Sequence, residues 1–250
     1  VADPPREPSH PPELLLVTSS AAAATSVAQR LADPRPVETE GLAGERGDLA
    51  GADTAVHAVG LGRAAAAFAL ARLLRDPPTA VVACGGLLAY PDSGLEVGDV
   101  VSGTVDTYAD LGAEREGDGL TDAAELGFRV APGAPGQSFV CDPRVAEALR
   151  DAGADRDGPL LTSELATTTA ATAATLRQRW GAALGESREG AAAAHACLLE
   201  SVPFAQLRSV TAVAGDGATG RADAELPHRL LDVLATAVPT IRDTLDHPFS

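Results

Sequence analysis

The sequence contains no methionine, no lysine and no asparagine, and its 250 residues include one tryptophan, two tyrosines and five phenylalanines. Without lysine, a Schiff base and an ammonium clamp on phosphate are excluded, and all 19 basic side chains are arginine. Without asparagine, one common reader of a base edge is missing. These residue types have A/T-rich codons, so a very GC-rich genome accounts for their loss. No apolar run approaches ~20 residues, which excludes a transmembrane helix. The Pro-rich start, Val1 to Pro12, has neither the basic head nor the apolar centre of a signal peptide, and a disordered leader is expected there. Three cysteines, Cys84, Cys141 and Cys197, are odd in number and far apart, which fits a reducing cytoplasm. Acid is plentiful. The 35 Asp and Glu set a net charge of −16, which repels phosphates, so neither nucleic acid nor an anionic membrane surface is expected as a partner.

Hydrophobic residues at 45% and charged residues at 22% are an ordinary globular balance, ample to bury a core. Leu14-Leu15-Leu16-Val17 suits a strand buried on both faces, and Thr18, Ser19 and Ser20 offer N-cap hydroxyls to a helix over about 22–31. Further strands are expected at 37–40, 54–59, 79–83, 97–108, 159–162 and 204–213. Helices are expected from Gly62 to Arg75 and over 143–152, 169–180, 189–200 and 226–245. Residues 113–136 carry Gly, Pro and acid without a period, and a long loop with short ordered pieces is expected. Strands and helices alternate, which predicts one α/β domain over 13–250 around a mostly parallel or mixed central sheet.

Gly60-Leu61-Gly62-Arg63-Ala64-Ala65 has the G-x-G-x-x-A spacing that lets backbone N–H groups approach an anion at a helix head. The next strand ends Val82-Ala83-Cys84 with no acid for a ribose, so a close helix–strand turn or a small anion or sugar site stands beside the dinucleotide reading. His195 and Cys197 are two apart on one helix and point to different faces, so they do not form a metal pair. There is no G-x-S-x-G elbow. His57, in an apolar strand, is expected in the core.

A distributed pattern is more specific. Gly94-Leu95-Glu96-Val97-Gly98-Asp99-Val100-Val101 precedes Tyr108-Ala109-Asp110-Leu111-Gly112-Ala113-Glu114, and Glu186-Ser187-Arg188-Glu189-Gly190-Ala191-Ala192 follows. In this order, across about 14–249, these segments resemble futalosine hydrolase of menaquinone biosynthesis, within the nucleoside phosphorylase and methylthioadenosine/S-adenosylhomocysteine nucleosidase superfamily. The resemblance implies a nucleoside-phosphorylase-like fold, a mixed sheet surrounded by helices. It also implies a homodimer, a small-molecule nucleoside as ligand, no metal or other cofactor, and cleavage of a purine–ribose bond by water.

Carried over residue by residue, Glu189 stands where the family's M-E-G motif holds the ribose, with Arg188 in place of the Met. Gly85 and Gly86 stand in the loop where a purine lies flat, and Gly62 belongs to the nearby turn. The water-activating Glu of the family is Ala23 here, and the acid or amide that stabilises the leaving base is Ala212. Asp216, about one turn of chain beyond Ala212, and Glu164, after the 159–162 strand, are the carboxylates left to stand in; a loop cap and a solvated strand end are their alternatives. Asp106, Asp110 and Glu114 lie in a segment that, by the resemblance, borders the site and the dimer face; a charged loop surface is their alternative. Two functions stay open. The chain is either a futalosine-hydrolase-like N-ribosyl hydrolase, or a repurposed paralogue that binds a ligand, or pairs with an active paralogue, without hydrolysing nucleosides.

Overall fold

The structure, a computed structural model, describes residues 10–116, 119–217 and 225–246. Its first half runs β1 (Leu14–Thr18), α1 (Ala21–Ala28), β2 (Ala32–Thr39), β3 (Leu42–Leu49), β4 (Ala52–Ala58), α2 (Arg63–Leu73), β5 (Ala80–Ala89) and β6 (Val100–Tyr108). Then come β7 (Gly112–Arg115), β8 (Gly119–Asp122), β9 (Ser138–Val140), α3 (Pro143–Asp151), β10 (Arg156–Thr162) and α4 (Ala170–Arg179). The chain closes with β11 (Gly185–Ser187), α5 (Gly190–Leu199), β12 (Phe204–Val213) and α6 (His228–Asp246).

β1 is buried at every position because parallel neighbours β4 and β5 flank it and the sheet is covered on both faces. The order is β11-β10-β6-β12-β5-β1-β4-β3-β2, with β9 added on β6. β11 also pairs antiparallel with β5, which closes β5, β12, β6, β10 and β11 into a ring. α2 packs against α5 and α3 against α6. This is the expected single α/β domain, a mixed sheet surrounded by helices. No helix among the described residues is long and apolar enough to cross a membrane.

Local signals explain where the chain followed its sequence. Ser20 caps α1, its Oγ accepting from the Ala23 N–H at 3.2 Å. Asp142 caps α3 and Thr169 caps α4. The 32–49 stretch departs from expectation. A strand over 37–40 is expected there, and the structure has two eight-residue strands, β2 and β3. The turns joining them to each other and to β4 are Glu40-Gly41 and Ala50-Gly51, with positive φ at both central residues, the geometry of tight hairpin turns. Neither turn carries the usual Asn or Asp, and β2 is an exposed edge strand with Pro34 and Pro36, so neither apolar alternation nor turn chemistry announces it.

The inner end of the stretch where a leader is expected makes contacts with the domain. His10 and Pro11 accept hydrogen bonds from Arg46, whose Nη1 lies 2.8 Å from the His10 carbonyl oxygen. Residues 1–9 lie outside the described residues. At the start of the 113–136 stretch β7 and β8 pair antiparallel, one of the short ordered pieces expected there.

Candidate active site

β11 sets the site. It runs antiparallel to β5, with Glu186 opposite Leu88, and so carries the chain from Ala89 back towards Gly85. Glu189 follows two residues later at the head of α5, where Ser187 Oγ accepts from the Gly190 N–H at 3.2 Å. A Cβ on Gly85 would lie 3.5 Å from Glu189 Oε1 and 2.6 Å from Arg208 Nη1, so this glycine makes room for the pair. Arg208 Nη1 donates to Glu189 Oε1 at 2.6 Å; Arg208 is fully buried and Glu189 is 5% exposed.

The pair ends a buried polar chain. Arg208 Nε donates to Gln206 Oε1 at 3.0 Å, and Gln206 Nε2 donates to Asp106 Oδ2 at 2.8 Å. Thr162 Oγ1 donates to Asp106 Oδ1 at 2.9 Å and accepts from the Ala191 N–H at 2.7 Å. Every heteroatom along that path is paired, as burial demands. Arg208 Nη2 is the exception: it is buried and has no hydrogen-bond partner. Gly190 lets the chain pass, since a Cβ there would overlap Asp106 Oδ2.

Of the two readings of Asp106, the charged surface is overturned, since the residue is fully buried in β6. Asp110 and Glu114 do lie at the surface, Asp110 in an ion pair with Arg63 at 2.7 Å. Neither Arg208 nor Gln206 was singled out from sequence. A signal existed: they are the two long polar side chains of the strand, spaced two apart and therefore on one face.

Burial raises the Asp106 carboxyl to about 6, against hydrogen bonds from Gln206 and Thr162 and the Arg208 charge, which favour ionisation. An acid whose folded pKa lies above its unfolded value of 3.8 binds more protons when folded. Its contribution to stability is therefore lost as pH rises from about 4 to about 6. Asp53, Asp142 and Asp155 are shifted down and lose stability in the opposite direction, as pH falls. The informative quantity is thus the difference between wild type and Asp106→Asn in urea. The variant is expected to gain roughly 3 kcal/mol relative to wild type between about pH 4 and pH 7. A flat difference profile would show that Asp106 does not titrate there.

Glu164 enters from the neighbouring strand. β10 and β11 are parallel with Thr162 opposite Ser187, so Glu164 and Glu189 leave adjacent strands two residues past one register position. A Cβ on Gly62 would lie 3.0 Å from Glu164 Oε1, and Arg63 Nε donates to Oε2 at 2.7 Å. The Arg63 guanidinium lies 5.7 Å from the Tyr108 ring centroid. The structure thus brings Gly62 to Glu164, and Gly85 to Glu189.

The other predicted residues are placed differently. Arg188 is half-buried and turns towards Glu186, Nη1 to Oε1 3.7 Å, while its backbone N–H donates to Glu189 Oε2 at 3.2 Å. Glu186 is itself held by Tyr90 and Thr167. Gly86 is exposed on β5 with Thr211 over it, 3.0 Å from the place of a Cβ. Asp216 is exposed in an isolated pairing with Thr169, beyond β12. Ala23 is buried in the main core, and Ala212 lies against the smaller cluster of Leu88, Tyr90 and Leu161. Among the described residues no group of three His, Cys, Asp or Glu could hold a metal ion.

Residues 13–244 match the family described as the Phosphorylase superfamily. A futalosine hydrolase of Streptomyces coelicolor is 35% identical over 153 residues, covering 60% of this chain and 62% of that protein, less than two thirds of its length. A futalosine hydrolase of Thermus thermophilus is 36% identical over 62% of this chain and 68% of that protein. A 5'-methylthioadenosine/S-adenosylhomocysteine nucleosidase of Colwellia psychrerythraea is 28% identical over 84% of each. The crystal structure of such a nucleosidase from Colwellia psychrerythraea, in complex with adenine, has a TM-score of 0.74 at 23% identity, covering 94% of this chain and 96% of the other. One from Neisseria meningitidis, in complex with methylthio-immucillin-A, has a TM-score of 0.72 at 21% identity, covering 94% and 99%.

Proposed function

The chain belongs to the phosphorylase superfamily, and from that premise we propose that it is a nucleosidase, releasing a purine base from a nucleoside with water as nucleophile. The futalosine hydrolases among its relatives make a futalosine-type nucleoside, and with it menaquinone biosynthesis, the proposed setting. Glu189 carries the reading: a carboxylate at a helix head, buried, and braced by a buried arginine.

As the base departs, positive charge develops on the ribose. A carboxylate bound to the ribose hydroxyls then interacts more strongly in the transition state than in the ground state, which is what lowers the barrier. Arg208 fixes Glu189 so that it need not reorganise. Gly85 keeps the floor of the site at backbone height, with Gly86 next to it, and Arg188 supplies its backbone N–H to Glu189. Glu164, beside Gly62, is the proposed polar contact to the ligand, and Asp216 the proposed acid–base stand-in, through which the proton lost by the water passes to the leaving base. The working unit is proposed to be a homodimer in the cytoplasm. Leu61, Phe68 and Leu165, exposed at 55%, 67% and 80%, support a contact face, and three buried free thiols suit a reducing compartment.

A second reading rests on Ala23 and Ala212. Both sit among apolar neighbours, and the resemblance places catalytic groups at both, so the fold could serve to bind a ligand or an active paralogue. Base release from futalosine, aminodeoxyfutalosine, inosine and methylthioadenosine, with and without phosphate, separates the two. Phosphate-independent release from at least one is expected. Strict phosphate dependence would make the chain a phosphorylase, and no release at high enzyme concentration would leave the binding reading.

A further inference from the structure

A cavity of about 260 Å³ lies at the opposite end of α2 from Glu164 and shares no residue with the site described above. The 11 residues of α2 separate the two by roughly 16 Å. Its floor is one face of the sheet. Strand alternation and register put Leu15, Ala55 and Val37 there as an apolar base, with His57 beside them. The end of α2, with Arg72, and the turn after it, with Asp76, form the opposite wall.

His57 is admitted by Gly44, since a Cβ there would lie 2.5 Å from the ring. Burial lowers its pKa, so the imidazole is neutral, and Nδ1 lies 3.2 Å from the Ala43 carbonyl oxygen. A carbonyl oxygen only accepts, so Nδ1 carries the hydrogen and Nε2 a lone pair. Among the described residues no protein donor meets that lone pair. The charges are unevenly matched. Arg46 is bound by Asp53, and Arg75 by Glu40. Arg72 has no carboxylate partner among the described residues, and its guanidinium lies 5.7 Å from the Phe68 ring centroid.

We propose that this cavity is a second ligand site, for a small organic acid with an apolar body and a hydrogen-bond donor. The carboxylate pairs with Arg72, the donor meets His57 Nε2, and the body covers Leu15, Val37 and Ala55. The volume, just below that of drug-sized ligand pockets, restricts the ligand to a compact molecule. The donor is a hydroxyl or an ammonium, and Asp76 at the rim adds a partner for the second.

The test is an amide-resolved NMR titration of the full chain with 3-hydroxyphenylacetate and with L-phenylalanine, each against uncharged 2-phenylethanol. Either acid is expected to shift amides of β2, β4 and the end of α2. Arg72→Gln is expected to weaken binding by about ten- to a hundredfold, the effect of one charge-assisted contact, while Glu189→Gln leaves it unchanged. Gly44→Ala, which displaces His57 and keeps Arg72, is expected to weaken it as well. Binding of the hydroxy acid alone assigns the donor to a hydroxyl, and of the amino acid alone to an ammonium. Three results overturn the proposal: no binding of either acid, equal binding of 2-phenylethanol, or loss with Glu189→Gln but not with Arg72→Gln.

Discussion

Arg208→Met is expected to destabilise the fold by about 3–5 kcal/mol, the effect of removing one partner from a buried ion pair. Methionine keeps the aliphatic stem and leaves the space of the guanidinium empty, so a cavity adds to the cost of the lost ion pair. The Glu189 carboxylate, 5% exposed, loses the guanidinium at 2.6 Å, and Gln206 Oε1 loses its donor as well. An uncompensated charge in a poorly solvated place then opposes folding. A double-mutant cycle identifies the origin. Adding Glu189→Gln to Arg208→Met removes the stranded charge and is expected to restore much of the loss, whereas additive costs would place the effect in packing alone. Urea midpoints at neutral pH provide the measurement, and a single Arg208→Met variant within about 1 kcal/mol of wild type would contradict this account.

Glu189→Gln is expected to lower the rate of base release by about 10²- to 10⁴-fold, with a much smaller change in KM. Glutamine keeps the shape and one acceptor oxygen but not the negative charge. The charge matters most when the ribose becomes cationic, so the loss belongs to kcat and kcat/KM together. The substitution also leaves Arg208 without its anion, so stability must be followed alongside, at a temperature where the variant is fully folded. Unchanged kcat in a folded variant would remove Glu189 from the reaction.

Particular residues show how much was legible. Glu189 is legible as a carboxylate at a helix head because its neighbours in sequence, Ser187 to Ala192, are also its neighbours there, where cap and carboxylate lie within one turn. Gly62 and Glu164 were each named, but nothing in the sequence joined positions about a hundred apart. The register of β10 against β11 and the Gly60–Gly62 turn do that. Asp106 shares its stretch with Asp110 and Glu114, and an acid among acids reads as readily as a solvated surface as a site. Only the contacts of Thr162 and Gln206 make its burial tolerable, and both come from other strands. The β2–β3 hairpin is only half legible in the sequence because an exposed edge strand carries no apolar alternation.

By itself the sequence determined the buried central strand, the capped helices, the α/β alternation and the motif order that points to the superfamily, because each is written in short-range spacing. The resemblance read from the sequence implies that Ala23 and Ala212 stand where the family's pattern has polar groups. Tertiary structure decided which charges meet. Arg208 and Asp106 bound a single buried chain to Glu189, Arg188 turned to Glu186, and Arg72 was left beside a cavity while Arg46 and Arg75 found carboxylates. The reason is physical. A hydrophobic stripe is read along one element, whereas the pairing of a buried charge depends on distances of a few ångströms between strands that only the closed sheet brings together.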